Sequence, residues 1–492
     1  MKRFFSNPLA PLLAGACLRL LFVFRFSANS GDTVLYEQFA SNWLKFGKFA
    51  MDINGQPTPV DLRMPGYPAV LAVIYALTGR SGEAARLPVM LVQSAVDLLA
   101  CVLIAALAAL LAQVAGKTEK SSRVFITALW LAALCPFTAN YVAVPLTEVW
   151  AVFFTALASL LICLLAAQAS GTIPAAAARW RALRSPAQTA LLAGAAVGLG
   201  TLFRPETPLL LVTSVLALGH FWVRQGKTKL WIRTSLFMGL ACAAMLLPWT
   251  IRNAVTLHEF QPLTPKDAML PNEVNPLGFM AWEKTWLYRV RDAYLVTWKL
   301  NDEEIHFEDI PPWAFDTQDE RDRVSAVLEK YNDDLTWNED QDAEFAKLAR
   351  ERTARHPFRT YLSIPLRRSL RIWFTPRIEL LPNISGHVFP LAYQWEEDPV
   401  DQRVTLSFFL VNLILAATAI CGAWKLWRYP SVRAPLAVLV AYILLRTLFL
   451  TTLEAPEPRY TLVCFPALLA LAAQAFSRSH LQLHGSPSET VR

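Results

Sequence analysis

The chain of 492 residues is 54% hydrophobic and only 17% charged, with a mean hydropathy of +0.33. Soluble domains carry about 25% charged residues, so the composition argues against an ordinary soluble fold. The net charge of +7 does not mark a nucleic-acid partner, because the basic residues stand at the ends of apolar runs and no zinc-finger, helix-turn-helix or RNA-recognition pattern occurs.

Lipid offers no partners to backbone N–H and C=O groups, so an apolar run of about 20 residues crosses the hydrocarbon as a helix. The sequence therefore predicts an all-α polytopic membrane protein with about ten transmembrane helices, at 8–26, 86–113, 124–142, 149–168, 187–203, 208–223, 234–251, 404–424, 434–453 and 460–476. The first run follows Lys2-Arg3 without a cleavage site and a mature start, and reads as an uncleaved span. All seven cysteines (Cys17, Cys101, Cys135, Cys163, Cys242, Cys421 and Cys464) lie inside apolar segments with no C-x-x-C spacing, and read as small buried residues.

Residues 27–85 form the first outer loop. Within it Leu35, Phe39, Trp43 and Phe46 fall on one helical face, and Gly47 is a natural stop. The segment 65–79 opens on Pro65-Gly66-Tyr67-Pro68. It is apolar but short, a juxtamembrane or re-entrant helix. Basic residues in short loops mark the cytoplasmic side. Here they are Lys117, Lys120 and Arg123; Arg179, Arg181 and Arg184; Arg224, Lys227, Lys229 and Arg233; and Lys425, Arg428 and Arg433, joined by Lys2, Arg3 and Arg478.

The chain then divides into a membrane module at 1–251, an outer, periplasmic segment at 252–403, C-terminal spans at 404–476 and a cytoplasmic tail at 477–492. The outer segment is large enough for a small domain. Residues 301–344 are dense in Asp and Glu. Residues 347–377 are basic and aromatic, with Arg367, Arg368, Arg371 and Arg377 among Phe358, Tyr361, Trp373 and Phe374. That stretch reads either as a helix on the membrane surface or as a solvated basic face.

Polar clusters from distant parts of the sequence converge on the outer boundary. Asp32 stands at the start of the first-loop helix, either as an N-cap carboxylate or as a general base whose proton affinity desolvation would raise. Glu37 is a second candidate base. Arg63 precedes a rigid turn, and an arginine fork suits a phosphate. Glu148 follows the tight Leu146-Thr147 turn; it reads as a charge favoured by the helix dipole, or as a partner for Asp32 in holding an acceptor or a divalent cation. Arg204 in Arg204-Pro205-Glu206, Arg252 and Arg459 are further phosphate candidates. Arg19, Asp97 and Arg446 lie deeper, where a charge needs a partner, and an Arg–Asp pair tying helices together is the favoured reading.

The order of these motifs resembles the GT-C superfamily of membrane glycosyltransferases, in particular the branch of the protein O-mannosyltransferases and the bacterial lipid A aminoarabinose transferase. The similar pieces are the first loop with Asp32 and Tyr36-Glu37, Arg63-Met64-Pro65-Gly66-Tyr67-Pro68, Leu146-Thr147-Glu148, Gly198 to Glu206, Leu247 to Asn253, and Glu457-Pro458-Arg459-Tyr460. The resemblance implies an inverting transfer from a polyprenyl-phosphate sugar to a lipid, glycan or protein acceptor, at the outer face of the bacterial cytoplasmic membrane. It implies Asp32 as base or acceptor-binding group, and Arg63 and Arg204 on the donor phosphate. The protein mannosyltransferases carry an Asp-Glu pair in the first loop, whereas Asp32 is followed by Thr33, which leaves the roles of Asp32, Glu37 and Glu148 open. The rival reading is a transporter or flippase of a lipid-linked glycan, which would place polar residues at mid-membrane and show repeated halves.

Overall fold

The computed structural model describes residues 7–171, 185–265, 273–376, 381, 388–389, 391–455 and 457–476. Lys2, Arg3, Arg179, Arg181, Arg184, Arg377, Arg478 and the tail 477–492, named above, lie outside the described residues.

Among the described residues the chain is almost wholly helical, with one two-stranded antiparallel sheet pairing Ala50–Ile53 with Gln56–Pro59. The first half contains α1 (Leu9–Arg25), α2 (Gly31–Phe46), α3 (Gly66–Thr78), α4 (Arg86–Val114), α5 (Thr118–Ala133), α6 (Pro136–Ala139), α7 (Glu148–Ala169), α8 (Pro186–Thr201), α9 (Leu209–Arg224) and α10 (Thr228–Thr256). The polar segment contains α11 (Leu277–Lys284), α12 (Val290–Leu295), α13 (Gln318–Asp334), α14 (Glu339–Arg355) and α15 (Ile364–Phe374). Then come α16 (Leu391–Glu397), α17 (Pro399–Trp427), α18 (Arg433–Thr451) and α19 (Phe465–Ala475).

Among the described residues five helices are long and apolar enough to cross a membrane: α4 with the turn before it, α7, α10, α17, and α18 with the turn before it. A sixth counts if α5 and Pro136–Ala143, bent by 50°, form one span. The protein is therefore multi-pass, with fewer long spans than the ten expected. Hydropathy registers apolar residues and not helical continuity. Pro136 ends α5 because proline lacks an N–H and restricts the residue before it. The run expected at 460–476 begins as a 3₁₀ turn, Pro458–Cys464, and leaves only 11 residues in α19.

Helix α7 lies at the centre, with 78% of its apolar window buried, whereas α10 and α17 lie at the periphery at 17% and 22%. Small residues set the closest approach. A Cβ at Gly194 would stand 2.2 Å from Met238 O, and one at Gly198 would stand 2.7 Å from Cys242 O, so α8 and α10 meet backbone to backbone. Gly66 does the same for the first loop. Its N–H donates to Leu202 O at 2.8 Å, and an added Cβ would lie 2.6 Å from that oxygen. This contact brings the Arg63 turn against the end of α8.

The deep charges are paired. Arg19 Nε donates to Asp97 Oδ2 at 2.8 Å, joining α1 to α4, and Nη1 donates to Gly15 O at 2.9 Å and to Ala133 O at 2.8 Å. Arg446 pairs with Glu206 at 2.7 Å. In the polar segment α11, α13 and α14 enclose an aromatic cluster that includes Phe279, Trp282, Trp286, Tyr331, Trp337 and Phe345.

Candidate active site

The first-loop helix α2 follows the predicted stripe in part. Phe39 is fully buried with Leu35 and Trp43 packed against the same cluster, Phe46 is 53% exposed, and Gly47 closes the helix in the left-handed region at φ 66°. Its start differs from the expectation. The N-cap is Ser30, whose N–H donates to Thr33 Oγ1 at 3.2 Å. Asp32 thus sits inside the first turn with its carboxylate free for other partners.

Those partners come from two remote segments. Arg63 Nη2 meets Asp32 Oδ1 at 2.8 Å, and Arg459 Nη2 meets Asp32 Oδ2 at 3.6 Å. Arg459 Nη1 also lies 3.6 Å from Glu148 Oε1, which takes Arg204 Nη2 at 2.5 Å. Arg204 in turn lies 3.7 Å from Glu206, and Arg459 Nε lies 2.5 Å from Glu457 Oε2. Acidic and basic groups therefore alternate through the cluster. Glu148 opens α7, where the helix dipole favours an anion.

Asp32, Arg63, Glu148, Arg204, Glu206 and Arg459 line one cavity of about 640 Å³, within the usual range for ligand pockets. Its lining includes the polar side chains of Asp32, Arg63, Glu148, Arg204, Glu206, Arg459 and Tyr460. It also includes apolar groups, among them Leu209 and Val212 of α9 and Phe449, Leu450 and Leu453 on and just after α18. Among the polar lining atoms, Glu148 Oε2 and Arg204 Nε are buried without a hydrogen-bond partner.

The electrostatics correct one expectation. Burial does push the Asp32 carboxyl up, but Arg63, Arg459 and Arg204 outweigh it and hold the group below its ordinary 3.8. Asp32 is thus a firmly ionised, weakened base rather than one of raised proton affinity. For Arg63, burial opposes the charge and the neighbouring Asp32 more than restores it. Burial, with the Asp32 carboxylate beside it, pushes the Tyr36 phenol to about 12, so it stays protonated.

Two predicted site residues lie elsewhere. Glu37 is held by Arg86, Nε to Oε1 at 2.8 Å and Nη2 to Oε2 at 3.0 Å, and does not line the cavity. Arg252 spends its donors on Val60 O at 2.9 Å and Phe49 O at 2.7 Å, and stacks over Trp249 and Phe49. It ties α10 to the first loop rather than reaching the cavity. Nor do Asp32 and Glu148 fit a shared cation, since the Arg459 guanidinium lies within ion-pair distance of both. No group of three or more His, Cys, Asp or Glu side chains could hold a metal among the described residues.

Sequence reasoning passed over Glu206, Glu457, Tyr460 and Arg446 as site residues. The first two carried a signal. Arg204-Pro205-Glu206 and Glu457-Pro458-Arg459 are the same triplet in opposite order. In each, the proline holds a carboxylate beside the arginine it steadies.

No family model and no curated protein matches the chain. Solved structures of the oligosaccharyltransferase AglB from Archaeoglobus fulgidus are similar to it. One, in complex with an inhibitory peptide and a dolichol-phosphate, matches at a TM-score of 0.49 and 13% identity, over 95% of this chain and 50% of that one. Another, tethered to an acceptor peptide containing the NVT sequon, matches at 0.49 and 14%, over 95% of this chain and 49% of that one. The chain thus spans about half the length of these structures.

Proposed function

We propose that the chain is an inverting glycosyltransferase that takes a sugar from a polyprenyl-phosphate donor and passes it to a lipid, glycan or protein acceptor. The observation that carries this reading is a single cavity lined both by arginines and carboxylates and by apolar residues of α9 and α18. Such a space suits a ligand with an anionic head and a hydrocarbon tail. The order of motifs resembling the GT-C superfamily agrees with it.

In this mechanism the acceptor oxygen attacks the anomeric carbon as the bond from that carbon to the phosphate oxygen breaks. Polyprenyl phosphate leaves with the bonding electrons, and the acceptor proton passes to Asp32. Arg63, Arg204 and Arg459 stabilise the charge that grows on the leaving oxygen. The phosphate also competes with Asp32 for Arg63 and Arg459. As it draws their charge away, the depression of the Asp32 carboxyl relaxes, and the base strengthens when the donor is in place. Glu148, with one buried oxygen unpaired, accepts a hydrogen bond from the acceptor or the sugar. The chain crosses the bacterial cytoplasmic membrane ten times, the shorter helices included, with the cavity on the outer face beside the polar segment 252–403.

Purified protein in lipid nanodiscs, given a labelled polyprenyl-phosphate sugar and envelope lipids, glycans or peptides as acceptors, tests the reading. Transfer to one of them with inverted anomeric configuration supports it. Flux of the donor across sealed vesicles with no transfer or hydrolysis would place the protein among the transporters instead.

A further inference from the structure

Helix α15 presents two opposed faces. Ile364, Arg368 and Ile372 point inward and are buried. Arg368 is the anchor, donating to Leu287 O at 2.6 Å on one side and to Thr451 O at 2.6 Å on the other. The outward side of α15 and of the π turn Arg359–Ser363 that leads into it is apolar: Phe358, Leu362, Leu366 and Leu370 are 71%, 53%, 57% and 52% exposed. Their four-residue spacing places them on one stripe. In water such a stripe on a solvated helix is unfavourable, and it needs a cover.

What covers it follows from where α15 ends. Trp373 Nε1 donates to Thr447 Oγ1 of α18 at 2.8 Å, and the Trp373 carbonyl accepts from Asn412 of α17. Both partner helices are long and apolar enough to cross the membrane. Asn412 stands well inside the apolar run of α17, beside the exposed Leu410, Val411, Leu413 and Ile414. The C-terminal end of α15 is thus pinned alongside surface that faces lipid.

A basic cluster adjoins the stripe. Arg367 stacks over Tyr288 at 5.6 Å, and Arg289 over Trp313 at 4.2 Å and over Tyr288 at 5.5 Å. Arg289, Arg291 and Arg371 surround the single carboxylate of Asp292. Arg291, Arg367 and Arg371 are exposed, and Arg289 Nε is buried without a partner. Three positive charges are in excess there, at the level where an interfacial helix meets headgroup phosphates.

We infer that α15 lies in the membrane interface as a docking site for acidic phospholipid. Phe358, Leu362, Leu366 and Leu370 enter the acyl region, while Arg289, Arg291, Arg367 and Arg371 bind headgroup phosphates. The inference rests on the membrane placement of α17 and α18 and not on the glycosyltransferase reading, so each can fail without the other.

The test uses the full chain in nanodiscs of phosphatidylcholine with one-third phosphatidylglycerol, after Cys17→Ser and Cys421→Ser remove the exposed thiols. A fluorophore on Leu366→Cys is quenched by brominated acyl chains, and one on Glu339→Cys, exposed in the polar segment, is not. Phosphatidylglycerol affinity of Arg367→Gln/Arg371→Gln, titrated into detergent-solubilised protein, falls about 30-fold, because each basic residue near acidic headgroups contributes about fivefold. Quenching of the Leu366→Cys label by an aqueous reagent and not by bromolipid overturns the inference. So does wild-type phosphatidylglycerol affinity in the double variant.

Discussion

Asp97→Asn separates a structural charge from a catalytic one. Arg19 is fully buried and Asp97 is 2% exposed. The substitution keeps the volume and removes only the charge, and leaves the Arg19 cation among α1, α4 and α5. Removing one partner of a buried ion pair costs about 3–5 kcal/mol. The Gly15 and Ala133 carbonyls keep their bonds to Arg19, which places the expected cost at the lower end, about 3 kcal/mol. Heating detergent-solubilised protein and following the folded fraction by fluorescence-detected size exclusion reads that loss. Turnover per folded molecule stays at the wild-type value, because the pair does not line the cavity. The double variant Arg19→Met/Asp97→Leu recovers most of the stability, since neither charge is then stranded. Wild-type thermal stability with lost turnover in Asp97→Asn would refute the structural reading and make the pair a proton relay.

Other outcomes follow from the same structure. Asp32→Asn lowers transfer about 10²–10⁴-fold, the usual contribution of a positioned base, with donor affinity little changed in a binding assay. Arg63→Met or Arg204→Met weakens donor binding about 10–150-fold, the equivalent of a lost charged hydrogen bond of about 1.5–3 kcal/mol. Because arginines hold Asp32 below 3.8, the acid limb of kcat/KM lies below the ordinary carboxylate range, and Arg459→Met moves it to higher pH. Glu283 is buried, and that burial chiefly raises its carboxyl to about 8. The folded state therefore keeps a proton that the unfolded chain loses near 4.5. Stability from this group is full below 4.5 and lost as pH rises through about 8. Glu283→Gln should flatten the pH dependence of thermal stability across that window by at most about 5 kcal/mol.

Membrane insertion, the first-loop helix and most of the convergent charges were legible in the sequence, because period, helix stops and motif order are local properties. Asp32, Arg63, Glu148, Arg204 and Arg459 share the cavity. Their meeting depends on contacts no local pattern encodes, such as Gly66 against the Leu202 carbonyl. Glu37 and Arg252 misled for the same reason. Both stand in matching motifs beside the site, yet Arg86 claims one and two backbone carbonyls claim the other. Of the ten spans expected, five or six are long and apolar enough on their own among the described residues, and prolines and a 3₁₀ turn interrupt some of the other apolar runs. The polar segment stayed unread although α13 and α14 bury Val324, Leu328 and Tyr331, and Phe345, Leu348 and Arg352, at helical spacing, because the dense charge around them masks that period.

The most direct measurement of the central claim is turnover of a labelled polyprenyl-phosphate sugar by wild-type protein and two variants, per folded molecule. Transfer that is abolished by Asp32→Asn and retained by Glu37→Gln is the predicted result. Equal loss in both variants, or full activity in Asp32→Asn, contradicts a reaction centred in this cavity.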